Sequence, residues 1–229
     1  MKLETIAVHA GKKPDPGSGA ITSSIQLATT FERGADGSFP HGYIYARGNN
    51  PNRKALETCL AALEGGACAA AFASGSAASM AVFQALSPGD HIIAPLDIYW
   101  GTTIQLREIL ERWGLKISTV DMSDARQVED AMTLKTRLLW VETPSNPLLK
   151  IVDIERMVAI GHSAGAMVAC DNTWGTPVLQ RPLELGVDVV MHSTTKYLGG
   201  HSDVISGALI SKEENDFFRK MRVIQTSGG

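Results

Sequence analysis

The chain has 229 residues, of which 44% are hydrophobic and 20% are charged, with a formal net charge of -3. This composition is typical of a globular protein with a sizeable core, and it offers no basic surface for nucleic acid or for an anionic membrane. The sequence contains no apolar run of transmembrane length, and its start, MKLETIAVHAGKK, lacks the apolar core of a signal peptide, so we expect a cytoplasmic protein.

The cysteines and histidines show no spacing typical of a disulfide framework or a metal site. Cys59, Cys68 and Cys170 are odd in number and stand far apart in apolar surroundings. The six histidines form no HExxH pattern. The sequence therefore predicts buried, unreactive thiols and no metal centre.

Residues 1–50 are rich in Gly, Pro, Ser and Thr and show little helical period, which predicts an extended N-terminal arm. Tyr45 and Arg47 stand at alternate positions of the arm segment GYIYARGNNPN, and alternate side chains of an extended segment point the same way. A guanidinium beside a phenol can bind phosphate. The alternative is that both are ordinary surface residues.

Residues 51–229 are predicted to form one α/β domain. A helix within RKALETCLAALE ends at Gly65 and Gly66. Apolar runs then predict strands at 68–73, 91–95, 116–121, 137–142, 166–171 and 187–193, with helices between them at 74–86, 102–113, 124–133 and 154–165. This alternation indicates a three-layer α/β/α fold with a mainly parallel sheet.

In such sheets, ligands bind at the carboxyl ends of the strands. The polar residues that follow the predicted strands are Ser74, Gly75, Ser76, Asp97, Tyr99, Thr143, Ser145, Asn146, Asp171, Asn172, Thr173, Ser193, Thr195 and Lys196. We therefore expect the candidate site along one edge of the sheet.

The turn Ser74-Gly75-Ser76 stands at a predicted helix start, where free backbone N–H groups and the helix dipole suit a phosphate. The alternative is a plain helix cap. The turn is not a P-loop, and no GxGxxG opens a helix, which argues against a nucleotide-binding doubly wound domain.

Three further side chains complete a recognisable chemistry. Lys196, between hydroxyls and glycines, becomes a nucleophilic amine if it loses solvation, and is otherwise a surface lysine. Asp171 ends an apolar strand and needs a partner such as a protonated ring nitrogen. Tyr99 can stack on a planar ring or pack against the core. An amine, a carboxylate, an aromatic lid and a phosphate cup together predict pyridoxal phosphate.

Six motifs resemble, in order, the transsulfuration group of pyridoxal-phosphate enzymes, also called the Cys/Met-metabolism family. They are YARGNNPN, ASGSAA, DIYWGTT, VETPSNPLLKIVDI, ACDNTWGTP and HSTTKYLGGHSDV, and they run from the arm to the end of the chain. The resemblance implies the large domain of the type I pyridoxal-phosphate transferases, which is like that of aspartate aminotransferase.

The resemblance also implies roles for residues. Lys196 would hold the cofactor as a Schiff base, Asp171 would contact the ring nitrogen, and Asn146 would lie near the ring hydroxyl. Tyr99 would stack on the ring and assist proton transfer. The residues implied for the phosphate are Gly75 and Ser76 through N–H groups, Ser193 and Thr195 through hydroxyls, and Tyr45 and Arg47 of a neighbouring subunit in a dimer or tetramer.

The implied reaction is γ-elimination or γ-replacement on a sulfur amino acid or an O-acylhomoserine. Gly101 stands where methionine γ-lyases typically carry cysteine, which argues against that member. Ile104 stands where many cystathionine-handling members carry arginine, which weakens both cystathionine assignments. Family members continue into a smaller C-terminal domain, which carries an arginine for the substrate carboxylate. We expect that domain to be absent here, leaving either an enzyme or a non-catalytic cofactor-binding or oligomerising fragment.

Overall fold

In the computed structural model, which describes residues 1–228, seven strands form one sheet. They are β1 (Cys68–Phe72), β2 (His91–Pro95), β3 (Lys116–Val120), β4 (Thr136–Glu142), β5 (Met167–Asp171), β6 (Val189–His192) and β7 (Gly207–Ser211). Their order across the sheet is β1-β7-β6-β5-β4-β2-β3. Only β7 runs opposite to the other six strands, which confirms a mainly parallel sheet.

Eight helices accompany the sheet in the described residues. They are α1 (Leu3–His9), α2 (Pro51–Glu64), α3 (Gly75–Gln84), α4 (Trp100–Ile104), α5 (Ala125–Ala131), α6 (Ile154–Ser163), α7 (Thr176–Leu179) and α8 (Asp216–Gly228), and α4 continues as a π-helical segment over Gln105–Leu110. Within residues 1–228, none of them combines the length and apolarity that crossing a lipid bilayer requires.

Local sequence explains the boundaries of α2. The Asn50 side chain accepts hydrogen bonds from the amides of Asn52 and Arg53, and Pro51 occupies the first turn. At the other end Gly65 has a φ of 74°, a left-handed conformation that glycine adopts without strain. The predicted helix is therefore confirmed, and it begins earlier than its apolar stripe.

Two hydrophobic clusters cover the two faces of the sheet, which confirms the three-layer fold. One includes Leu60 of α2 and Met157 of α6. The other includes Phe83 of α3 and Phe218 of α8, with Trp140 of β4 against Phe83 at a ring-centroid distance of 4.8 Å. Alternate residues of each buried strand feed opposite clusters, as the two-residue period of a strand requires.

The sequence prediction missed four elements, namely α1, α7, β7 and α8. Part of the arm is helical and packed rather than extended, because residues Leu3–His9 form α1 and Gly11 lies against α2. A Cβ on Gly11 would stand 2.0 Å from the Ala55 carbonyl oxygen. Residues 10–50 contain no helix or strand beyond an isolated bridge between Thr30 and Tyr45.

Candidate active site

The carboxyl ends of β1, β2, β4, β5 and β6 lie along one edge of the sheet, and the antiparallel strand β7 begins at the same edge. The polar residues predicted from the sequence follow these strand ends, so the fold gathers most of them in one region. Hydrogen bonds between the successive loops show which of them lie together.

Asp171 is joined to the loop that carries Lys196. Asp171 is only 7% exposed. Its Oδ1 accepts hydrogen bonds from the Thr173 amide at 3.0 Å and from the Thr173 hydroxyl at 2.6 Å. The Thr173 oxygen in turn accepts from the Ser193 amide at 2.8 Å. Within residues 1–228, Oδ2 of Asp171 takes part in no hydrogen bond. One carboxyl oxygen is thus held in place, and the other can accept a proton-bearing nitrogen of a ligand.

The electrostatics of Asp171 favour a cationic partner. Burial raises the pKa of this carboxyl, against the opposing effects of the Thr173 hydrogen bonds and of His192. A carboxylate in such surroundings is stabilised by a protonated heteroaromatic nitrogen. The site therefore fits the pyridine ring that the sequence resemblance implies.

The turn at the start of α3 retains free donors. The Ser74 hydroxyl accepts from the Ala77 amide at 3.0 Å, so Ser74 is the helix cap. The amides of Gly75 and Ser76 donate no hydrogen bond within the described chain. A Cβ on Gly75 would lie 2.7 Å from the Ser193 Cβ, so only glycine lets the turn pack this closely. Both alternatives hold: Ser74 caps the helix, and the next two amides are available to an anion.

Thr195 and Lys196 lie in the loop that follows β6. The Thr195 hydroxyl donates to the Ser206 carbonyl at 3.1 Å and accepts from the Ser206 amide at 3.0 Å, so its proton is already used. Lys196 is exposed, and its ammonium group forms no hydrogen bond or ion pair with residues 1–228. The chain alone therefore leaves this amine in contact with solvent.

Tyr99 and Asn146 are joined by Glu142, a residue that the sequence reasoning did not select. Glu142 is 3% exposed, and its carboxylate accepts hydrogen bonds from the Tyr99 amide at 3.0 Å and from the Asn146 amide at 2.9 Å. It is the partner of Asp171 in the β4–β5 register. The available signal was its position as the last residue of an apolar strand, which it shares with Asp171.

The Tyr99 ring lies over Gly101, and the whole Tyr99 residue is 47% exposed. A Cβ on Gly101 would stand 2.4 Å from the Tyr99 Cε1, so a cysteine at this position would displace the ring. Below it, Gln105 of the π-helical segment accepts from the Ser79 hydroxyl at 2.9 Å and donates to the Ser76 carbonyl at 2.7 Å. Such segments occur often at functional sites, and this one ties α4 to the turn at the start of α3.

Tyr45 and Arg47 contact each other outside this network. Residues 46–48 form a turn rather than the expected extended segment, yet the guanidinium still lies 5.6 Å from the Tyr45 ring centroid. Arg47 donates to the Thr226 carbonyl at 2.5 Å. In the part of the chain that the structure describes, neither side chain forms a hydrogen bond with the turn of α3 or with Ser193.

The family comparison agrees with the motifs. The model described as "Cys/Met metabolism PLP-dependent enzyme" matches residues 4–229. The chain is 48% identical over 211 residues to the cystathionine gamma-synthase of Mycobacterium tuberculosis, covering 92% of this chain and 54% of that protein. It is 42% identical over 228 residues to the cystathionine beta-lyase of Coxiella burnetii, covering 99% of this chain and 59% of that protein.

Solved structures give the same result for the fold. The chain superposes on the crystal structure of metB from Corynebacterium glutamicum with a TM-score of 0.97 and 40% identity, over 100% of this chain and 60% of that one. For cystathionine gamma-lyase from Lactobacillus plantarum complexed with L-serine, the TM-score is 0.94 and the identity 41%, over 99% and 59% of the two chains. The chain thus spans little more than half the length of these relatives.

Proposed function

Because the chain belongs to the Cys/Met metabolism family of pyridoxal-phosphate-dependent enzymes, we propose that it forms the cofactor site of an enzyme for γ-elimination or γ-replacement on sulfur amino acids or O-acylhomoserines. The observation that carries the proposal is Asp171, which has one oxygen anchored by Thr173 and one free. This carboxyl lies next to the loop whose Ser193 packs against the turn of α3.

Different residues would hold different parts of a phosphorylated pyridine. The free amides of Gly75 and Ser76 would bind the phosphate, and Asp171 would hold the proton on the ring nitrogen. Tyr99 would cover the ring, and the Lys196 amine would hold the aldehyde carbon and carry protons to and from the substrate. When bound, the cofactor supplies an electron sink for the substrate carbanion. Covering the exposed Lys196 by cofactor and substrate would supply the desolvation that the chain alone does not.

The substrate class follows from the relatives and from one contact. The relatives are named for cystathionine-forming and cystathionine-cleaving reactions. The ring of Tyr99 packed on Gly101 leaves no room for the cysteine expected of a methionine γ-lyase. We therefore favour cystathionine or an O-acylhomoserine over methionine as the substrate.

The proposal extends to assembly and location. Tyr45 and Arg47 are exposed and lie outside the hydrogen-bond network around Ser193, which fits a role at the phosphate of a second copy in a homodimer or homotetramer. Cys59, Cys68 and Cys170 are all free thiols, and free thiols suit the reducing cytosol.

Trapping the cofactor tests the central assignment. The chain is mixed with pyridoxal phosphate, reduced with borohydride and digested for mass spectrometry. We expect one reduced adduct on Lys196, its loss in Lys196→Ala, and its retention in the control Lys212→Ala, which removes another exposed lysine. A stoichiometric adduct that persists in Lys196→Ala would show that another lysine binds the cofactor.

A further inference from the structure

We propose that Glu142 is a positioning residue of the cofactor site, which ties the loop carrying Tyr99 to the loop carrying Asn146 and places both against Asp171. This role rests on the proposed function, because its consequence is the orientation of groups around the cofactor ring. Neither the motif roles nor the names of the relatives assign any role to Glu142.

The carboxyl of Glu142 is fully engaged by two loops. Its Oε2 accepts from the Tyr99 amide at 3.0 Å, and its Oε1 accepts from the same amide at 3.2 Å and from the Asn146 amide at 2.9 Å. Tyr99 lies in the loop after β2, whereas Asn146 lies in the loop after β4. A single buried side chain therefore fixes two backbone segments whose side chains are candidates to contact the ring.

The sheet register places this carboxyl beside Asp171. Glu142 and Asp171 are direct partners of the parallel pair β4–β5, so their side chains project from the same face. Trp140, two residues earlier on β4, belongs to the cluster on the α3 face. Glu142 thus reaches the face on which the turn of α3 and Tyr99 lie.

The charge around Glu142 makes its ionisation sensitive to what binds at Asp171. Burial in the first place, and the neighbouring Asp171 in the second, raise the pKa of Glu142 to about 8, against the two loop amides. Asp97, in the loop after β2, acts in the same direction. Lys150, in the loop after β4, is engaged with Asp121 at 2.8 Å. A cation held by Asp171 would favour the charged form of Glu142, which binds both amides more strongly.

Hydrogen exchange of the cofactor-free chain directly tests whether Glu142 holds the two loops through the amides of Tyr99 and Asn146. We expect the amides of Tyr99 and Asn146 to exchange at least about 10-fold more slowly than in an unstructured peptide. Glu142→Gln keeps the volume but loses the charge and one acceptor, so exchange in at least one of the two loops should accelerate by about 10-fold. The control Glu57→Gln alters another buried carboxyl, which accepts the Ala71 amide at 3.0 Å at the far edge of the sheet, and should leave both loops unchanged.

A spectroscopic titration of the chain loaded with pyridoxal phosphate supplies a readout that loop stability alone would not change. With the cofactor bound, Glu142 should be in its charged form. In Glu142→Gln, we therefore expect the midpoint of the titration of the visible band to be lower by about 1 pH unit than in the natural chain, since a negative charge near the chromophore is gone. Glu57→Gln should retain the midpoint of the natural chain.

Two results would overturn the inference. One is exchange at Tyr99 and Asn146 in the natural chain that is as fast as in an unstructured peptide. This measurement needs no variant, so it stands even where Glu142→Gln does not fold. The other is a titration curve of Glu142→Gln that superposes on that of the natural chain. Failure of the Lys196 adduct would instead refute the proposed function, and it would leave the exchange result valid.

Discussion

Asp171 and Glu142 occupy equivalent positions at the ends of neighbouring strands but have different partners. Asp171 has one anchored and one free oxygen, so it can bind a ligand cation. Both oxygens of Glu142 are occupied by backbone amides, so it acts on the protein itself. Burial raises the pKa values of both carboxyls, and the neighbouring Asp171 adds to the rise for Glu142.

The raised pKa of Glu142 predicts a loss of stability with rising pH. The folded chain releases this proton at about pH 8 and the unfolded chain near the ordinary value of 4.5, so the folded state binds more protons between these limits. The unfolding free energy contributed by this group must therefore fall as pH rises through that window. We expect the natural chain to lose about 2–4 kcal/mol relative to Glu142→Gln between pH 5 and pH 9.

Urea unfolding of the cofactor-free proteins across this range measures the difference. Asp171 is present in both proteins, so its own titration largely cancels. Asp121 titrates at about 2 and does not contribute in this range. Parallel stability curves for the two proteins would show that Glu142 is ionised throughout.

The sequence allowed Asp171, Gly75 and Ser76 to be selected, because each follows an apolar run at a strand end or helix start. It did not reveal Glu142, since the proximity of Glu142 to Asp171 depends on how β4 and β5 pair, and register is a property of the folded sheet. The solvation of Lys196 was equally beyond the sequence, because it depends on which groups from other loops cover the amine.

At the level of elements, the βα alternation predicted every parallel strand but not β7. This strand, GALIS, follows a Gly- and Ser-containing loop, and no helix lies between it and β6. The alternation of strands and helices therefore does not predict it. Yet β7 matters for the candidate site, because it lies between β1 and β6 and begins at the edge of the sheet where the candidate site residues lie. A Cβ on Gly207 would stand 2.2 Å from the Ser74 carbonyl oxygen, so the strand start packs directly under the turn of α3.

The missed helix α8 protects the exposed edge of β1. Arg222 donates to the Ala69 carbonyl and Gln225 donates to the Ala71 carbonyl, while Glu57 of α2 accepts the Ala71 amide at 3.0 Å. These side chains occupy the hydrogen-bonding groups that an edge strand would otherwise offer to another chain. Arg222 also binds Glu57 at 2.7 Å, so one guanidinium satisfies both a strand carbonyl and a buried carboxylate.

Removing Arg222 should therefore cost far more than removing its neighbour on the same helix. We expect Arg222→Ala to lower the free energy of unfolding by about 2–4 kcal/mol, since it leaves Glu57 buried with fewer partners. The matched control is Arg219→Ala, because Arg219 pairs with Asp216, whose side chain is 92% exposed, and should cost less than about 1 kcal/mol. Denaturant unfolding measures both, and equal losses would contradict the edge-protection role.

At the scale of the whole molecule, the arm presents exposed apolar side chains, which the proposed dimer would cover. Ile21, Ile25 and Leu27 are exposed by 77%, 85% and 85%, and apolar side chains so close together usually mark a contact surface. Tyr45 and Arg47 of the same arm are exposed as well. The dimer that we propose therefore predicts that each cofactor site draws on residues of two chains.

Mixing two defective chains tests this prediction. Arg47→Ala should weaken pyridoxal phosphate binding by about 10-fold or more, because a bidentate phosphate contact is lost, and Lys196→Ala cannot form the covalent adduct. In a mixed dimer, one cofactor site would contain the intact Lys196 of the Arg47→Ala chain and the intact Arg47 of the Lys196→Ala chain. We expect co-refolding to restore tight adduct formation on a fraction of the Arg47→Ala chains, measured by mass spectrometry at limiting cofactor.

The control for this rescue is a chain that carries both substitutions, Lys196→Ala and Arg47→Ala, mixed with Arg47→Ala under the same conditions. It dimerises through the same surfaces but supplies no guanidinium, so the adduct should not rise above the level that Arg47→Ala forms alone. If the single and the double variant rescue equally, Arg47 does not act across the interface. If neither rescues although mixed dimers form, Arg47 serves the site of its own chain, and its contact with the Thr226 carbonyl would be its structural role.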